Sequence, residues 1–181
     1  MRVIAANTLA IIVDIQEKLF PHIYDHEKLL DNCNKIILGL NILNIPILIT
    51  EQYTKGLGST MTSIKESMGA SYLPIEKIDF SCLGSVEFFA KLKSMNKTNI
   101  ILIGIETHVC VLQTALDLLE NNYQPVIIED CVSSRLINNK NIAIERMRTE
   151  GAIISTYESI LFELCRAAGT DTFKNISKLV K

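Results

Sequence analysis

The apolar residues of this chain come in short unbroken runs instead of alternating with polar ones, and that narrows its folds most. Ile100-Ile101-Leu102-Ile103 is such a run, with the length and β-branched content of a strand buried on both faces. Leu9–Val13, Ile47–Thr50 and Pro125–Glu129 read the same way, and Ala152–Thr156 reads as a last short strand. Leu73–Ile78 contains Pro74 and has room only for a short edge strand. Between the runs lie segments of helical spacing. Leu29, Leu30, Cys33, Ile36, Ile37, Leu40 and Leu43 form one apolar stripe, which predicts a helix over 27–43. Gly104 ends the Ile100–Ile103 run, and a helix is expected through Val111, Thr114, Ala115, Leu118 and Leu119. Further helices are expected over 63–68, over 85–95 with Val86, Phe89 and Leu92 on one side, over 141–149 ending before Gly151, over 159–167 and over 172–180. Residues 52–63, with Gly56 and Gly58, read as a long loop.

Buried strands separated by helices predict an α/β protein, a three-layer α/β/α sandwich with a mainly parallel, doubly wound sheet. At 181 residues the chain suits a single domain spanning 1–181. In such sheets ligands bind beyond the carboxyl ends of the strands. Asp14 and Cys110 each follow a buried strand, so both are expected at that edge although far apart in sequence.

Composition excludes some partners. The formal net charge of −2 gives no reason to expect nucleic acid, and the apolar stretches are too short to cross a bilayer. Five cysteines without regular spacing, and no signal peptide, point to free thiols in a cytoplasmic setting.

The placement of Cys110 admits two readings. A thiol where a strand hands over to a helix meets unpaired N–H groups, which lowers its pKa; a free cysteine is also a common small core residue. Asp14, Lys77 and Cys110 together supply a base, a cation and a nucleophile, which is what covalent catalysis on a carbonyl requires.

These residues lie in three motifs. One is the apolar strand with Asp14-Ile15-Gln16, another is Glu76-Lys77-Ile78-Asp79-Phe80-Ser81, and the most specific is Gly104-Ile105-Glu106-Thr107-His108-Val109-Cys110 with Gln113-Thr114-Ala115. In this order they resemble the isochorismatase-like cysteine hydrolases. Thr50-Glu51-Gln52-Tyr53 with Lys55-Gly56-Leu57-Gly58 is similar to the eukaryotic isochorismatase-domain subgroup. The resemblance implies a hydrolase of a small amide-like C–N bond, with Cys110 as nucleophile, Asp14 as proton carrier and Lys77 orienting the carboxylate. It also implies a cis bond between Ile105 and Glu106, and an oxyanion hole from the N–H groups of Glu106 and Cys110. Leu19, Phe20, Gln52, Tyr53, Phe80 and Thr107 are expected around the substrate.

Metal-binding relatives such as nicotinamidases use a D-x-H pair and a second histidine after the second strand. No histidine occurs here between His26 and His108, so no metal or other cofactor is expected. His22 and His26, four apart, are the remaining candidate pair. A homo-oligomer is expected from the resemblance and from the two striped C-terminal helices. Two other readings stand beside the hydrolase: a catalytically weak or silent oligomeric interaction protein, and a redox-responsive thiol protein with Cys82 as resolving cysteine.

Overall fold

Consecutive residues of a strand point to opposite faces of its sheet, so a strand apolar at every position needs cover on both sides. β1 (Thr8–Val13) is buried throughout. Its Ala10 and Ile12 pack into one core and its Leu9, Ile11 and Val13 into another. The computed structural model, which describes residues 2–181, repeats this division along the sheet. Beyond β1 the strands are β2 (Ile47–Gln52), β3 (Ile75–Lys77), β4 (Asn99–Ile105), β5 (Gln124–Ser133) and β6 (Ile153–Ser155). The helices are α1 (His26–Ile42), α2 (Thr54–Leu57), α3 (Thr62–Met68), α4 (Val86–Ser94), α5 (Leu112–Glu120), α6 (Ile137–Glu150), α7 (Tyr157–Cys165) and α8 (Asp171–Leu179). α1, α3, α7 and α8 close the first core, and α4, α5 and α6 close the second.

The strand order is β3-β2-β1-β4-β5-β6, and every neighbouring pair is parallel. This is the three-layer α/β/α sandwich expected from the sequence. The chain winds one way from β1 to β3 and the other way from β4 to β6. The switch point between β1 and β4 opens a crevice at their carboxyl ends.

Gly104 does not end its strand; it lies inside β4, opposite Val13. Its φ is 122°, and a Cβ there would lie 2.1 Å from the Val13 carbonyl oxygen. The register between β4 and β5 shifts at the same point. Only glycine permits this backbone and this approach together.

Three other expectations differ in detail. On α4, Phe88 and Leu92 face inward, one turn apart, whereas Val86 is exposed. β5 continues past Glu129 to Ser133: Glu129 and Asp130 are less buried, but the strand is covered again beyond them, with Cys131 in the first core and Val132 in the second. The C-terminal helices bury their own stripes, Ile160, Leu161 and Leu164 on α7 and Ile176 on α8, so neither stripe is spare. The large exposed apolar side chains are elsewhere, among them Leu136 and Ile142 by α6, and Ile78 and Phe80 after β3. Gly151 closes α6 in the left-handed conformation, as the sequence suggests.

Candidate active site

Adjacent strand ends deliver the polar groups. Val13, the last residue of β1, is paired with Thr50 of β2, and Gln52 is paired with Lys77 of β3. Asp14 follows at φ 51°, a left-handed conformation that aspartate adopts more readily than most residues and that recurs at functional sites. Its carboxylate thereby meets β2 and, one strand further out, β3. Thr50 Oγ1 donates to Asp14 Oδ1 at 2.7 Å, and Lys77 Nζ donates to Asp14 Oδ2 at 2.7 Å. The ammonium also donates to Gln52 Oε1 at 2.6 Å and to the Phe80 and Asp79 carbonyls at 3.0 and 3.2 Å. A buried lysine needs such a shell of acceptors.

Gln52 is pinned in turn. Its Nε2 donates to the Ile78 carbonyl at 2.6 Å, and its backbone N–H donates to Gln16 Oε1 at 2.7 Å. Gln16 Nε2 donates to the carbonyls of Gln52 and Gly58, so the residues after β1 and β2 are locked together.

Across the crevice, β4 runs into a π-helical turn, Thr107–Val111, before α5. Cys110 lies in that turn and lines a cavity of about 290 Å³ with Asp14, Leu19, Gln52, Phe80, Glu106 and Arg135. Leu57, Ile105 and Val109 complete its mostly apolar wall. The Ile105–Glu106 peptide is cis. The Glu106 carboxylate accepts from the Arg135 backbone N–H at 3.0 Å and from Arg135 Nε at 3.1 Å. His108 Nδ1 is 2.9 Å from Ser134 Oγ, a contact that ties the turn to the residues after β5.

The thiol is not activated in the way its position suggested. Burial pushes the Cys110 thiol well above its ordinary value, and the charge of the Asp14 carboxylate raises it further. Lys77 pulls it down, but less strongly. The resting pair is therefore a thiol facing a carboxylate. Burial alone would lower Lys77, but the Asp14 carboxylate beside it outweighs that and raises it above its ordinary value, so it stays an ammonium. Cys82 is fully buried behind Thr50, its Sγ 3.7 Å from Thr50 Oγ1, and burial pushes its thiol up to about 11.

Sequence reading placed Asp14, Lys77, Cys110 and Glu106 together, and Leu19, Gln52 and Phe80 around them; the structure brings these residues to one crevice. Three pocket residues need correction. Phe20 is buried in the core, where its ring meets His26 edge-on. Thr107 is fully buried, and its hydroxyl has no partner among the described residues. Tyr53, at φ 37°, is exposed on a separate depression shared with Glu76, Lys77 and Ser85. Leu57, Ile105, Val109 and Arg135 went unread. Ile105 and Val109 lie inside the Gly104–Cys110 motif and could have been found by proximity to its site residues; Arg135 follows β5 and gives no local signal. Among the described residues, no three His, Cys, Asp or Glu side chains gather as a metal group. His22 ends a 3₁₀ turn and His26 begins α1, so they do not share a helix face.

A parallel sheet of this order, with thiol, carboxylate and ammonium at its switch point, defines a Rossmann-like α/β/α class. The profile of the isochorismatase domain matches residues 8–159. The chain belongs to the isochorismatase domain family, which suggests a hydrolase. It is 36% identical over 183 residues to a protein of Phytophthora sojae named secreted isochorismatase effector Isc1, covering 99% of this chain and 87% of that one. A Caenorhabditis elegans structure named MAR1 ribonuclease superposes with a TM-score of 0.92 at 35% identity, over 99% of this chain and 92% of the other. The YcaC gene product of Escherichia coli, described as an octameric hydrolase of unknown specificity, shares the fold with a TM-score of 0.91 at 20% identity, over 99% and 90% of the two chains. No helix among the described residues is long and apolar enough to cross a membrane.

Proposed function

We propose that this chain is a metal-independent cysteine hydrolase of a small amide-like C–N bond, working through a covalent acyl-enzyme. The observation that carries the reading is the shared Asp14 carboxylate. It is held by Lys77 Nζ at 2.7 Å on one side and bears on the Cys110 thiol on the other, at the wall of one cavity. As Cys110 Sγ attacks the substrate carbonyl, its proton passes to Asp14 and the carbonyl electrons move onto oxygen. The N–H groups of Glu106 and Cys110 serve as the oxyanion hole, each worth roughly 3 kcal/mol of barrier. Collapse breaks the C–N bond, and the amine leaves with the proton from Asp14. Water then attacks the thioester and gives a proton to Asp14. The second collapse breaks the C–S bond, the proton returns to sulfur, and the acid product ionises. Lys77 stays protonated throughout and holds the carboxylate in place.

The cavity suits a small, largely uncharged substrate. Its wall is mostly apolar, and of its neighbouring cations Lys77 is already paired with Asp14. The ribonuclease named for the C. elegans neighbour would need a surface for phosphates, which a formal net charge of −2 does not favour. A homo-oligomer belongs to the same proposal. The Escherichia coli relative of this fold is described as octameric, and exposed Leu136 and Ile142 offer a face to cover. Five free cysteines suit a reducing, cytoplasmic setting, whereas the Phytophthora relative carries a secreted name.

The test is to challenge the protein with a panel of small amides, carbamoyl compounds and RNA, quench, and weigh the Cys110 peptide. An acyl adduct that hydroxylamine discharges as a hydroxamate is the expected result, absent in Cys110→Ser and Asp14→Asn. Turnover without an adduct, or undiminished in Cys110→Ser, would overturn the mechanism. No turnover of any panel member would favour the silent interaction protein.

A further inference from the structure

A second cavity, of about 110 Å³, lies at the carboxyl end of β5 between α1 and α6. The proposed hydrolysis uses none of its groups. Two opposite charges are half-buried in its wall. Asp130 Oδ1 accepts from the Tyr157 backbone N–H at 2.9 Å and from the Cys131 thiol at 3.8 Å, while Oδ2 has no partner among the described residues. Lys140 lies within the influence of Glu129, Asp130 and Asp25 but closes no ion pair with any of them. Burial pushes the Asp130 carboxyl up and the Lys140 ammonium down, as befits charges without a close counter-charge. Asn32 is nine-tenths buried; its Nδ2 donates to the Asp130 carbonyl at 2.9 Å, and its Oδ1 has no partner among the described residues. Asp25 and Lys28 stand exposed at the rim.

We infer that this cavity is a binding site for a small zwitterion of the α-amino acid class, its ammonium between Asp130 Oδ2 and Asn32 Oδ1 and its carboxylate on Lys140. Charge selects the class. A lone anion would face Asp25, Glu129 and Asp130, and a lone cation would face Lys28 and Lys140. A ligand carrying both signs completes both half-buried charges at once, as the protein's own side chains do not. Size agrees. A cavity of about 150 Å³ holds benzene, with six heavy atoms, so 110 Å³ holds four to five. Glycine has five, and a longer side chain would leave through the open mouth.

The experiment is calorimetric titration of the full chain with glycine, and separately with acetate and with methylammonium. Amide NMR locates the response. It is done on wild type and on Cys110→Ser, which lacks the proposed nucleophile but keeps this cavity, so that failure of the hydrolase reading is distinguishable from failure here. Glycine is expected to bind both proteins alike, shifting the Asn32 side-chain amide. Acetate and methylammonium are expected to bind at least about tenfold more weakly. Lys140→Met, and Asp130→Asn (which keeps the acceptor for Tyr157), should each weaken glycine about tenfold or more. Absence of glycine binding at millimolar concentration, acetate binding as well as glycine, or unchanged affinity in Lys140→Met would each overturn the site.

Discussion

The Lys77 ammonium donates to Asp14 Oδ2 at 2.7 Å with both side chains sealed from water. In such a place a charge is tolerable only with its partner. Replacing Lys77 by Met leaves a buried carboxylate uncompensated and should cost about 3–5 kcal/mol of stability. Adding Asp14→Asn removes the orphaned charge, so the double variant should lose less than the two single losses added together. Urea unfolding of the four proteins measures this; strict additivity would mean that the pair is not coupled. The pH dependence has a definite sign. The folded Lys77 is raised, so its contribution is full below the unfolded lysine value of ~10.4 and is lost as pH rises through the folded one.

Gly104 and Val13 set the width of the crevice. A Cβ at Gly104 would lie 2.1 Å from backbone, and φ of 122° disfavours any side chain. Gly104→Ala should therefore push β1 and β4 apart at their carboxyl ends and cost about 4 kcal/mol or more. Denaturant unfolding tests this, and a loss below about 1 kcal/mol would mean that the backbone relaxes there freely.

Thr50 supplies the second hydrogen bond to Asp14, at 2.7 Å. Thr50→Val keeps the shape and removes the donor. A hydrogen bond to a charged group is worth about 1.5–3 kcal/mol, so stability should fall by that amount. A Thr50→Ser variant keeps the hydroxyl and should recover most of it. Equal losses in Val and Ser would assign the effect to packing instead.

The fold was legible because parallel strands covered on both faces write themselves as unbroken apolar runs. β1, β2, β4 and the first half of β5 carry that mark. Asp14, Lys77 and Cys110 could be brought together because each lies at or just beyond a strand's carboxyl end, and strand order does the rest. What failed depended on side-chain direction. Phe20 and Thr107 neighbour site residues in sequence but turn into the core. Val86 and Phe88 compete for the same helix, and only the packed structure chooses Phe88. Arg135 reaches the cavity from the residues following β5, beyond the reach of any local pattern. The raised Cys110 thiol was hidden for a related reason: helix position is visible in sequence, but burial beside an anion is not.

That thiol gives the sharpest chemical test. Helix position alone predicted a thiolate persisting below the ordinary thiol value of ~8.5. Burial first, and Asp14 second, hold the proton on sulfur instead, while Lys77 opposes them. Alkylation of Cys110 by iodoacetamide, read by mass spectrometry of its peptide, should therefore keep rising with pH above ~8.5 without levelling off. Near neutral pH it should be slower than at Cys165, which is half-exposed on α7. Asp14→Asn removes the anion beside the sulfur and should move the curve to lower pH. Lys77→Met removes a nearby cation that favours the thiolate and should move it higher. Opposite shifts from two neighbours of one sulfur cannot come from general loosening, which would expose the thiol and move both curves the same way. A plateau below ~8.5 in wild type would mean a preformed thiolate, and Asp14 would then not be needed to take the proton at the attack step.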